Sequence, residues 1–154
     1  MTVDSSTLDA HLVTLVAARN IGALATIRGD GRPQLSAVNF TFDPAAESAR
    51  VSVIQDRAIV NNLRRDPRAS IYVASPDGWT YAVLEGTVEL SSVAAHADDN
   101  IVDELLEVYC AILGQGPPNS DDFRAAMVDD RRLVATLHVD SVYGLAGPGL
   151  SIPA

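Results

Sequence analysis

The sequence predicts a mainly β fold, with six antiparallel strands forming a barrel or strongly curled sheet and helices on its outside. Two observations predict it. Stretches rich in β-branched and aromatic residues are joined by short Gly, Asp and Pro turns, which suit antiparallel hairpins rather than parallel crossovers. The order helix, three strands, short helix, two strands, two helices, strand also lacks the steady β–α alternation of a doubly wound sheet.

The elements follow in order. Ser5 or Ser6 can cap a first helix that runs to about Asn20, with Leu8, Leu12, Leu15 and Val16 as its buried stripe. Ala23–Ile27 reads as a strand, Gly29-Asp30-Gly31 as a turn, and Pro33–Phe42 as a second strand. Alternation there puts Leu35, Ala37, Asn39 and Thr41 on one face and Gln34, Ser36, Val38, Phe40 and Phe42 on the other. Arg50–Ile54 is a third strand. Asp56 is placed to cap a short helix starting at Arg57, and Pro67 obliges that helix to stop before it. Val60 and Leu63 form its apolar seam. Ala69–Ala74 and Trp79–Leu90 are the fourth and fifth strands, with Gly86 marking a bulge or close backbone approach. Asp98–Leu113 is an amphipathic helix burying Ile101, Leu105, Val108 and Ile112, Asp121–Val128 a shorter one, and Leu133–Leu145 the closing strand.

The chain of 154 residues suits one domain, expected over residues 1–145, with residues 146–154 as a loose tail. Net charge is −9 and all eleven basic Lys/Arg positions are arginine, so an anion site must be built from arginine and backbone. That charge argues against nucleic acid and anionic membranes as partners. A lone cysteine, Cys110, excludes an internal disulfide and reads as packed. Met1–Thr7 is polar and no apolar run has the roughly 18 residues of a membrane span, so a soluble cytoplasmic protein is expected.

No Walker loop, dinucleotide fingerprint, nucleophile elbow or H-E-x-x-H pattern is present. His11, His96 and His138 lack second ligands at metal spacing, and the acidic pairs at helix starts read as capping groups. What remains is a strand leading into a helix with Arg57, Asn61 and Arg64 on one face, a plausible anion site at the N-terminus. The same residues also suit a solvated face, with Arg64 and Arg65 paired to nearby acids. Gln34, Ser36, Asn39 and Ser52 suit the edge of a flat heterocycle, or equally a solvent-facing strand surface.

Three motifs, Leu24–Ser36 (LATIRGDGRPQLS), Asn62–Ser70 (NLRRDPRAS) and Asp77–Thr87 (DGWTYAVLEGT), together with Asp130–Leu145, resemble the pyridoxamine-phosphate-oxidase-like split barrels. Within them the likeness is to the class B flavin/deazaflavin oxidoreductases that use coenzyme F420. The resemblance spans nearly the whole chain. It implies a homodimer of six-stranded split barrels with cofactor sites at the subunit interface, and hydride transfer to a small conjugated acceptor. Carried onto this chain, it implies that Gln34, Leu35 and Ser36 line the ring, that Ser52 lies below it, and that Arg57, Asn62 and Arg64 serve the phosphate. Trp79 and Tyr81 become the wall reaching the other subunit, or dimer packing. Where close relatives carry basic residues, this chain has Ile59 and Asn61. That departure leaves FMN, which has a phosphate but no oligoglutamate tail, as the alternative cofactor. A non-catalytic carrier is a further alternative. Pyridoxamine-phosphate oxidase activity itself is not expected, because that enzyme's substrate-binding arginine and histidine pattern is unmatched.

Overall fold

Eleven elements follow the expected order in residues 10–145, which the computed structural model describes. They are α1 (Ala10–Ala17), β1 (Ile21–Ile27), β2 (Pro33–Asn39), β3 (Thr41–Asp43), β4 (Ser48–Ile54), α2 (Ala58–Arg65), β5 (Arg68–Ala74), β6 (Tyr81–Leu90), α3 (Asn100–Leu113), α4 (Ser120–Asp129) and β7 (Arg132–Leu145). The expected Ser5 or Ser6 cap and the tail beyond residue 145 lie outside the described residues. The first helix ends at Ala17 rather than Asn20, where the Ala18 and Arg19 N–H groups bond back to Leu15 and Val16 in a tightened last turn.

All pairings are antiparallel, and the sheet order is β2-β1-β5-β6-β7-β4-β3. The strand expected over Pro33–Phe42 is present as two halves, β2 and β3, which belong to opposite edges of this seven-stranded sheet. Phe40 is the hinge between them. It is fully buried, and its N–H donates to the Asn20 carbonyl at 2.9 Å. Six lengths of chain therefore make the barrel, and the bend carries one of them from edge to edge. The sheet closes through chain continuity, and β2 and β4 form no ladder with each other.

Alternate residues fill the barrel: Leu24, Ile71, Val73, Leu84, Leu133 and Leu137 are all buried inside. A smaller cluster, Ala94, Val102, Leu105 and Val134, seats α3 on the outer face of β7. Asp99 caps α3 by accepting from the Val102 N–H at 3.0 Å. Backbone N–H groups, that of Ala95 foremost, hold its carboxyl below the ordinary range. The cap of α4 is Asn119, one residue before the helix begins, while Asp121 and Asp122 sit in its first turn. No helix among the described residues is long and apolar enough to cross a membrane.

Helix α2 differs from expectation at its start. Asp56 does not cap it; its carboxylate is drawn to Arg131 instead, and Arg57 becomes the N-cap without any side-chain cap bond. Val60 and Leu63 bury the expected seam. Asn62, 5% exposed, anchors the helix: its Nδ2 donates to Thr26 Oγ1 at 3.0 Å and to Gln34 Oε1 at 2.9 Å, and its Oδ1 accepts from Arg65 at 2.9 Å. One amide thus joins α2 to β1 and β2.

Gly86 sits at a register shift in the β6–β7 ladder, and a Cβ there would overlap the His138 carbonyl. The main chain of β7 leaves no flexible atom to move aside. Gly86→Ala is expected to lower unfolding free energy by about 2 kcal/mol or more, read as an earlier denaturant midpoint. Asn62→Ala strands the buried Thr26 hydroxyl and releases Gln34 and Arg65; a loss of about 1–3 kcal/mol in the same measurement is expected.

Candidate functional site

Where β2 and β4 fail to pair, a cleft of about 760 Å³ opens. Consecutive residues line it on both strands, Ser36 to Asn39 on β2 and Val51 to Ile54 on β4. Side chains of neighbouring residues point to opposite faces of a strand, so a continuous run meets one cleft only along the strand's edge. The cleft is therefore bordered by unpaired strand edge, with main-chain donors and acceptors available to a ligand. One end is the start of α2, contributing Arg57, Ala58 and Ile59. The opposite wall is helical and apolar: Leu105, Val108, Ile112 and Leu113 of α3, with Phe123 and Met127 of α4. Tyr109 lines this wall as well and packs edge-on against Phe123 at a centroid distance of 4.9 Å.

The polar groups are oriented by their own bonds. The Asn62 amide occupies Gln34 Oε1, which leaves the Gln34 NH₂ to donate elsewhere. Ser52 Oγ lies 3.2 Å from Arg132 Nη1, which donates to it. At the α2 end, the Ala58 and Ile59 N–H groups have no acceptor within their own helix, and no side chain caps them. Among the described residues two arginines, Arg57 and Arg132, line the cleft, and no Asp or Glu does. No group of three or more His, Cys, Asp or Glu among the described residues is placed to hold a metal ion.

Of the residues singled out from sequence, Gln34, Ser36, Asn39, Ser52 and Arg57 come together in this cleft. The others are placed elsewhere. Leu35 is on the opposite face of β2 and 70% exposed. Asn62 lies beneath the cleft, engaged with Thr26, Gln34 and Arg65. Arg64 is exposed near the end of α2. Trp79 and Tyr81 stand at the β5–β6 turn. The Trp79 N–H donates to Asp77 there, and a hydrogen bond from Ser75 holds that carboxyl below its usual range. Tyr81 stacks on Tyr72 at 5.6 Å. These two aromatics belong to an exposed outer sheet face, where Ala37, Ala23, Tyr72, Val83 and Tyr143 follow one another across five paired strands. Sequence reasoning missed Arg132 and the helical wall. Arg132 lay in plain view in Asp130-Arg131-Arg132, but only its register opposite Ile54 brings it to the cleft.

A family model described as pyridoxamine 5'-phosphate oxidase matches residues 8–145. Among solved structures, the chain is similar to a conserved hypothetical protein from Mycobacterium tuberculosis, with a TM-score of 0.73 and 21% identity, covering 95% of this chain and 89% of that one. It is similar to an F420 reductase, with a TM-score of 0.58 and 23% identity, covering 84% and 94% of the two chains. A heme binding protein from Mycobacterium smegmatis matches with a TM-score of 0.63 and 24% identity, covering 97% of this chain and 57% of that longer one. Barrel, bend and match over nearly the full length agree: this chain belongs to the pyridoxamine 5'-phosphate oxidase family.

Proposed function

We propose that this protein is an oxidoreductase that binds coenzyme F420 and passes a hydride from its reduced form to a small conjugated acceptor, a quinone, tetrapyrrole or xenobiotic. The observation that carries this reading is charge. In a chain of net charge −9, the described residues that line this cleft include two arginines and no acid, an arrangement that favours an anionic ligand. The volume and the apolar helical wall suit a flat ring system, since small-molecule sites commonly span roughly 300–1,000 Å³ and are lined mainly by hydrophobic and aromatic side chains. The residues present thus fit a phosphorylated heterocycle. Arg57 and the first N–H groups of α2 hold the phosphate end, while Gln34, Ser36 and Ser52 meet the ring's polar edge.

The reduced deazaflavin supplies the hydride. The chain supplies position and dryness: Gln34 and Ser52, fixed by Asn62 and Arg132, orient the ring, and Leu105, Ile112 and Phe123 exclude water from the opposite face. Among the described residues no carboxylate or histidine lines the cleft, and in this reading solvent delivers the acceptor's proton. One observation favours FMN as a second reading. Ile59 is half-buried and packed against the core, so no basic side chain stands at that position to meet an acidic tail. FMN has no such tail. A resting F420-binding carrier is the remaining reading.

Purified protein titrated in parallel with F420 and FMN decides the cofactor. Tighter F420 binding, followed by acceptor reduction, is the expected result. FMN preference moves the protein to the second reading, and F420 binding without turnover on any acceptor makes it a carrier. Arg57→Ala is expected to weaken the phosphorylated cofactor about tenfold and leave assembly unchanged; equal affinity takes Arg57 out of the site.

We also infer a homodimer built through the outer sheet face, where Ile21, Leu35, Tyr72, Trp79 and Tyr143 are exposed together. Burial of that face in a dimer brings Trp79 and Tyr81 of each subunit towards the cleft of the other. Tyr72→Glu places a charge at the centre of the face, and a shift from dimer to monomer in light scattering is expected; an unchanged mass puts the interface elsewhere.

A further inference from the structure

We propose that Arg132 is a specificity-determining residue of the cleft, selecting with Arg57 a phosphorylated ligand over its uncharged counterpart. The inference rests on the reading of the cleft as a flavin or deazaflavin site. Arg132 opens β7 opposite Ile54, at the end of β4 where the chain departs for α2, so both arginines stand at one end of the cleft. Its side chain is only 28% exposed. A guanidinium carries five N–H donors, and two are in use among the described residues: Nη1 to Ser52 Oγ at 3.2 Å and Nε to Asp130 Oδ2 at 3.4 Å. The second of these is long, and the Asp130 side chain is 48% exposed, so the pair is loose and screened. Most of the fork, and most of the charge, stays with the cleft.

Neighbouring arginines are committed differently. Arg131 pairs with Asp56, Arg65 binds Asn62 and the Ile27 carbonyl, and Arg68 pairs with Asp66. Arg132 also governs Ser52. Because the serine oxygen accepts from Nη1, the hydroxyl proton is directed to another acceptor, which turns Ser52 into a donor for whatever lies in the cleft. A planar fork beside a fixed hydroxyl donor matches the oxygens of a phosphate far better than a neutral alcohol.

The test is the ratio of affinities within two matched pairs, F420 against its phosphate-free deazaflavin chromophore and FMN against riboflavin, for wild type and Arg132→Gln. In the pair that wild type prefers, the variant's ratio of phosphorylated to unphosphorylated affinity is expected to fall about tenfold, while the uncharged chromophore stays within about twofold. Arg132→Lys keeps the charge without the fork and is expected to fall about threefold; it also carries the test if Arg132→Gln does not fold. Equal losses for both members of the pair assign Arg132 to strand packing and overturn the inference, as does an unchanged ratio. Either of those results leaves the proposed function standing. A wild type that binds none of the four overturns both.

Discussion

The bend at Phe40 is the constraint from which the rest of the structure follows. A sheet whose first and last strands are two halves of one length of chain is closed by covalent continuity. No ladder joins β2 to β4 there; the hinge residue gives its N–H to Asn20 and buries its ring in the core. Of the two strands flanking the gap, β2 keeps one edge unpaired, and β4, paired with β3 only from Ser48 to Arg50, keeps that edge free from Val51 to Ile54. Exposed strand edges are liabilities that proteins normally cover. Here α2 covers one end of the gap and the α3–α4 pair stands across it. What is left between them is the cleft, so barrel closure and cleft have one origin.

The electrostatics of the site follow from a rearrangement at the same place. Asp56 is positioned by sequence to cap α2, yet it is drawn to Arg131 instead. A capping carboxylate at that point would put a negative charge beside the cleft and satisfy the helix's first N–H groups. Its removal leaves the positive pole of the helix uncompensated, beside two arginines. The surrounding protein is acidic, so the cleft is a local inversion of the chain's overall field.

Much of this was legible in the residues. Strand alternation, turn chemistry and the Gly86 irregularity located nearly every element, and polar Gln34, Ser36 and Ser52 marked the strands that border the cleft. The Phe40 hinge was not legible, because an alternating pattern runs unbroken through it and only the closure of the barrel imposes the turn. Leu35 is instructive. Alternation alone set it opposite Gln34 and Ser36, which is where it lies, whereas the family likeness grouped the three together. Asn62 and Arg132 were illegible for a different reason. Their roles depend on partners 36 and 80 positions away, Thr26 and Ser52, and nothing local in the sequence signals such pairings.

The helical wall has a separate consequence. It is carried by an excursion between β6 and β7 that is seated by its own small cluster, apart from the barrel interior. Leu113 and Ile112 keep only part of their surface buried, and α4 has no fully buried residue at all among those described. Substitutions along this wall reshape the cleft while touching little of what holds the barrel together. The polar lining of the cleft comes from β2, β4, β7 and the start of α2, while α3 and α4 supply its apolar wall. That division separates the shape of the cleft's apolar side from the stability of the barrel, so the one can change while the other is left intact.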